Sequence, residues 1–140
     1  MQEYASTKES SMRELTKILK VLSDESRLRV LNLVLERECC VCEVMQVIGM
    51  SQSKASRILS ALYDAGLLKL ERDGRWALYS IDRDGMKEYM NDIVNGVTKA
   101  LNDNPVAAKD RENLKKAERV GPRCVNKLCE SKLSTKASQP

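Results

Sequence analysis

The chain has 140 residues, 42% of them hydrophobic, with no Phe or His, one Trp, five Cys and a formal net charge of +4. That length suits one domain with a tail, built on an aliphatic core. No apolar run approaches the roughly 18 residues of a membrane span, residues 1–11 lack the apolar core of a signal peptide, and the missing His removes imidazole catalysis and His-containing metal sites.

A cytoplasmic protein with no membrane contact is therefore expected. In that reducing compartment five cysteines are better ligands, sensors or buried thiols than disulfides. The positive charge is uneven. Residues 1–108 carry 15 Lys/Arg against 16 Asp/Glu, and residues 109–140 carry 9 against 4. Any nucleic-acid contact by the folded part must come from local placement of Lys and Arg.

Residues 1–11 read as a flexible N-terminus. From Met12 the positions Leu15, Ile18, Leu19 and Leu22 recur at helical steps, which predicts an amphipathic helix. Ser23 or Asp24 can cap a second helix, with Leu28, Val30, Leu31, Val34 and Leu35 as its apolar stripe and Arg27, Arg29 and Glu36 on the wet side. Residues 38–42 form a junction. A short helix follows with Val44, Val47 and Ile48 on its apolar face, ended by Gly49. Ser51 is a good N-cap for the next helix, 52–65, which buries Ala55, Ile58, Leu59 and Leu62 and is stopped by Gly66.

Residues 67–72 and 75–81 read as two strands joined at Asp73-Gly74, a strong hairpin signal. A long helix is expected from Asp82 or Asp84 to about Leu101, with Met86, Met90 (or Tyr89), Ile93, Val97 and Leu101 on one face. Pro105 ends it, and residues 106–119 could form a short charged helix. Gly121-Pro122 opens a tail rich in Lys and Ser that holds Cys124 and Cys129. The expected organisation is thus a domain over 12–104 and a basic, partly disordered extension over 105–140.

The order helix, helix, short helix, turn, polar-faced helix, hairpin, long helix is a winged helix-turn-helix, mainly α with one small β-hairpin. In such a unit the second helix of the pair enters the major groove and its N-terminal side chains reach base edges. Ser51, Gln52, Ser53, Lys54, Ser56 and Arg57 are short or hydrogen-bonding, as that task requires. Arg72 and Arg75 flank the wing tip, where they would meet the backbone or minor groove. A merely solvated polar face would have the same composition, and the hairpin directly after it favours DNA.

Cys40-Val41-Cys42 is the second signal, strengthened by adjacent Cys39 and by its place at a helix start. A helix N-terminus favours the thiolate. Thiolates select soft or borderline ions such as Zn, Cd, Pb or Cu(I), and trivalent arsenic or antimony. In a regular helix residues two apart point about 200° apart, so these two thiols can share one ion only if the helix start is unwound. Idle buried cysteines are the plain alternative.

The segments 22–31, Cys40-Val41-Cys42-Glu43, 50–59 and 74–80 together resemble the ArsR/SmtB family of metal-sensing repressors over about residues 12–101, and most closely its arsenical-resistance repressors. The resemblance implies a homodimer built on the first and last long helices, with Leu15, Ile18, Leu22, Met86, Met90, Ile93 and Val97 at the interface. It implies binding to double-stranded operator DNA without ligand, and release when trivalent arsenic or antimony binds Cys40 and Cys42. In the familiar arsenic pattern a third cysteine stands where this chain has Met45, so Cys39, Cys124 and Cys129 compete for third ligand. The family's cadmium/lead sensors add N-terminal cysteines, absent here, and its zinc sites on the last helix use His.

Rival expectations are a sensor of a soft divalent metal, a thiol redox or reactive-sulfur sensor on the same scaffold, and a protein-interaction module without specific DNA binding. No catalytic cofactor and no enzyme activity are expected, because the sequence offers no base–nucleophile pair and no phosphate-binding glycine loop.

Overall fold

The computed structural model describes residues 2–119, with side chains from residue 12 onward. Six helices and one hairpin follow in the order α1 (Gln2–Val21), α2 (Glu25–Glu36), α3 (Val41–Ile48), α4 (Gln52–Asp64), β1 (Leu68–Asp73), β2 (Trp76–Ile81), α5 (Glu88–Asn102) and α6 (Pro105–Leu114). This is a mainly helical winged helix-turn-helix, as the sequence predicts. The backbone of α1 starts ten residues before the first apolar position of the expected helix.

Local chemistry sets most boundaries. The Asp24 carboxylate accepts the Arg27 N–H at 3.0 Å and starts α2. Gly49, at φ 78°, ends α3 in the left-handed region, with its N–H on the Met45 carbonyl at 2.9 Å; a side chain there would carry a steric cost that glycine escapes. The Ser51 hydroxyl accepts the Lys54 N–H at 3.2 Å and starts α4.

Two boundaries differ from expectation. The hairpin pairs Asp73 with Trp76, so its two loop residues are Gly74 and Arg75, one position later than Asp73-Gly74. Only Gly74 takes positive φ, at 62°, and glycine at the first loop position is the requirement of a type II′ turn. The last long helix begins at Glu88, not at Asp82 or Asp84. Asp82 instead closes a turn, accepting the Gly85 N–H on its side chain and the Met86 N–H on its carbonyl.

The core is aliphatic. Ile18, Leu31, Leu33, Leu59, Leu62, Leu67 and Leu114 are among its largest fully buried side chains. Four residues expected at a dimer interface, Ile18, Leu22, Met86 and Met90, are spent inside the protomer instead. Helical periodicity marks an apolar face but does not say which neighbour covers it. Met12 and Leu19 of α1 stay exposed, and Leu15, Ile93 and Val97 are half-buried.

The expected domain boundary at 104 needs correction, because α6 packs into the domain. Asp110, 2% exposed, takes both Nε and Nη2 of Arg29 at 2.7 and 2.9 Å. Arg29 is therefore partly shielded, not simply on the wet side of α2. Buried Asn32 donates to the Ala107 carbonyl and accepts from Arg111, and Arg37 donates to the Leu114 carbonyl. These bonds fix α6 along α2, and Leu114 fills the gap beneath. We expect Leu114→Ala to cost about 2–5 kcal/mol, lowering the urea midpoint of a single cooperative transition. An unchanged midpoint would mean that α6 is not part of the folding unit.

Candidate nucleic-acid interface and thiol site

The helix-turn-helix presents its polar residues outward. Ser51, Gln52, Ser53, Lys54 and Arg57 are exposed and Ser56 is half-buried, while Ala55, Ile58, Leu59 and Leu62 seat α4 on the core. Arg72 on β1 and Arg75 in the turn are exposed at the wing tip. The fold adds a residue not singled out from the sequence. Arg27, in the first turn of α2, lines a cleft of about 280 Å³ with Lys54 and Arg57. Three cations, against the one carboxylate of Asp24 in the same cleft, leave a net positive site beside the exposed helix start that suits a phosphate. The sequence signal was weak, because Arg27 lies far along the chain from α4.

The thiol site is built at the start of α3. Cys40 is the N-cap residue, with extended backbone at φ −95° and ψ 167°. It therefore lies outside the helix, and the opposed directions expected for a C-x-C pair in a regular helix do not apply. The Cys40 and Cys42 thiols lie near enough to act on each other without any unwinding of α3. Cys39 is turned elsewhere. Its sulfur donates to the Arg37 carbonyl at 3.3 Å, with the Leu33 carbonyl at 3.7 Å. Its backbone pairs both ways with Tyr79 of β2, at 2.9 and 2.8 Å, adding one residue of a third strand to the wing. Cys124 and Cys129 lie outside the described residues. Among the described residues no three Cys, His, Asp or Glu side chains converge on one point.

All three thiols are buried, and burial overturns one expectation. Desolvation, the largest effect, pushes the Cys39 thiol up to about 12, with the nearby Glu43 charge adding to it. The hydrogen bond to Cys42 and then burial push the Cys40 thiol up as well, against the lowering effect of the backbone at Glu43. The helix N-terminus does not make Cys39 or Cys40 a thiolate: burial penalises the charged form at Cys39, and the Cys42 thiol and then burial do so at Cys40.

Glu43 organises the site. It is 1% exposed, yet it accepts the Cys40 N–H at 3.0 Å and pairs with Arg37 at 2.6 Å and Arg119 at 3.1 Å. Burial raises its pKa, but the Cys40 N–H and the Arg37 and Arg119 guanidinium groups outweigh it and hold the carboxyl below its ordinary value. Arg119 brings the chain after α6 back over α3. There the Gln46 amide donates to the Cys42 sulfur at 2.9 Å and to the Glu118 carbonyl at 2.6 Å, and its carbonyl accepts the Glu118 N–H at 3.0 Å.

Residues 24–69 match the family model for bacterial regulatory proteins of the arsR family. The chain is 35% identical over 88 residues to an arsenical resistance operon repressor of Staphylococcus xylosus, an alignment that covers 61% of this chain and 84% of that relative. The chain belongs to the arsR family. A cadmium resistance transcriptional regulatory protein CadC homolog of Staphylococcus aureus is 34% identical over 76 residues, covering 54% of this chain and 63% of the relative, which is less than two thirds. The fold agrees with a solution structure of a homodimeric winged helix-turn-helix DNA-binding domain from Mycobacterium bovis, at TM-score 0.58 and 24% identity over 70% of this chain and 87% of that one. Among the described residues no helix is long and apolar enough to cross a membrane.

The clamped carboxylate makes a pH prediction. A folded-state value below the ordinary 4.5 means that the Glu43 contribution is fully present above about pH 5 and disappears as pH falls through the folded value. Glu43→Gln is expected to lose about 1–3 kcal/mol near neutrality, with the gap to wild type narrowing in acid. Urea titrations of both proteins across that range test it, and a gap independent of pH would show that the Glu43 charge is not what matters.

Proposed function

We propose that this arsR-family chain is a dimeric transcriptional repressor that binds operator DNA through α4 and the wing and is released when trivalent arsenic or antimony binds Cys40 and Cys42. The observation that carries this reading is the nearness of those two thiols, with Cys40 at the extended N-cap of α3, the helix directly before α4. Ser51, Gln52, Ser53, Lys54, Ser56 and Arg57 are the base- and phosphate-facing set, with Arg72 and Arg75 on the wing. Exposed Met12 and Leu19 with half-buried Leu15, Ile93 and Val97 supply apolar surface for a second copy. The Cys39 thiol is engaged with main-chain carbonyls, which leaves Cys124 and Cys129 as the better candidates for a third ligand.

A buried thiol that keeps its proton, as Cys40 does, favours a metalloid over a divalent ion. Trivalent arsenic arrives as As(OH)₃, and each As–S bond formed takes the thiol proton into a released water. A divalent cation must expel those protons to solvent, so its affinity rises with pH. A soft divalent metal is the second reading, and the likeness to a cadmium regulator favours keeping it.

Fluorescence anisotropy on DNA from the chain's own promoter region, in reducing buffer at fixed salt, tests the main reading. Arsenite should release the wild type and fail on Cys40→Ser. Tight binding indifferent to arsenite would sink the metalloid assignment. Arg57→Ala should weaken operator binding by about 1–3 kcal/mol, roughly five- to 150-fold; unchanged affinity would remove α4 from the interface. Across neutral pH arsenite affinity should stay flat, while cadmium affinity climbs roughly tenfold per pH unit for each proton released. The reverse pattern would make the divalent metal the inducer.

A further inference from the structure

Cys42 has no exposed surface. Part of what covers it is not the core. The Glu118 carbonyl lies 3.6 Å from its sulfur and the Gln46 amide 2.9 Å. Lys115, Lys116 and Glu118 themselves face solvent, so this segment is the outer layer over the site. It follows the last turn of α6, and its first three residues still bond back one short turn, Lys115, Lys116 and Ala117 donating to the Glu112, Asn113 and Leu114 carbonyls. Beyond Ala117 side chains hold it. Gln46 makes a two-way amide pair with the Glu118 backbone, and Arg119 reaches Glu43 and the carbonyl of Glu38.

We propose that residues 115–119 are a strap that closes over Cys42, that Gln46 is its clasp, and that the closed strap and a soft ligand on the thiol pair exclude each other. The inference deepens the proposed function, and its second half rests on that reading. The geometric reason is simple. A ligand atom reaching the buried sulfur from solvent must pass the space held by the Gln46 amide and the Glu118 carbonyl. Away from the strap, Cys42 belongs to the buried core, whose packed side chains cannot give way without loss of the fold. Strap opening is local: it breaks the short turn bonds of residues 115–117, the Gln46–Glu118 pair and the Arg119 bond to Glu43, while Glu43 keeps Arg37 and the Cys40 N–H, and the segment's apolar anchor is half-buried Ala117. Gln46 is thus a positioning residue: it sets how often the thiol is uncovered without being a ligand.

The consequence is a built-in tax on binding. The site's apparent affinity equals its open-state affinity multiplied by the fraction of time the strap is open. Weakening the clasp should tighten ligand binding, the opposite of what damage to a binding site does.

The test uses the full chain, reduced and free of DNA. The rate of Cys42 alkylation by iodoacetamide is read by peptide mass spectrometry for wild type, Gln46→Leu and Glu118→Pro. The last variant removes a clasp N–H from the strap side and leaves α3 untouched. Both variants should label Cys42 roughly fivefold faster or more, the weight of one lost hydrogen bond, with unchanged urea midpoints. Wild-type rates in both would overturn the strap. A destabilised Gln46→Leu leaves Glu118→Pro to decide. In a second arm, arsenite is added and trypsin cleavage after Lys116 and Arg119 is followed. Faster cleavage, together with tighter arsenite binding by the variants, supports mutual exclusion. Arsenite binding with unaltered cleavage overturns it. If arsenite does not bind at all while the variants still label faster, the metalloid reading fails and the strap over Cys42 stands.

Discussion

A single buried carboxylate ties together three separate stretches of chain. Glu43 has almost no exposed surface, and a lone charge there would be untenable. It is held by the Cys40 N–H at the start of its own helix, by Arg37 from the junction after α2, and by Arg119 from beyond α6. The first bond sets the extended backbone of Cys40 and so the meeting of two thiols. The second fixes the junction in which Cys39 sits. The third brings the strap across the site. Remove the charge and each of these segments loses one of the bonds that hold it in place.

Much of this was written locally in the chain. Caps at Asp24, Ser51 and Gly49 act on the residues beside them, so the helix-turn-helix could be read directly. The wing was legible too, but its loop shifted by one. Both Asp73-Gly74 and Gly74-Arg75 place a glycine in the loop, and only cross-strand pairing chooses between them. The start of α5 was misplaced because Asp82 has the chemistry of a helix cap and uses it to close a turn.

What sequence reasoning missed depends on distant partners. The buried face of α6 consists of Ala107, Asp110 and Leu114, and an aspartate in that stripe reads as solvent-facing until Arg29 is found against it. Gln46 looks like an ordinary polar helix residue until the chain returns from 72 positions away to meet it. The thiols were found by their pattern, but their protonation was judged from the helix end alone. Burial is a property of the assembled core, and it reversed the sign.

Cys39 and Tyr79 are joined through main-chain atoms only. The link between the thiol junction and the wing therefore does not use the cysteine's sulfur at all. A backbone ladder reads geometry and ignores side-chain identity. The chemistry at this junction can be exchanged residue by residue while the mechanical seam to the hairpin stays intact. A scaffold with that property can change what its junction recognises and keep the same lever arm.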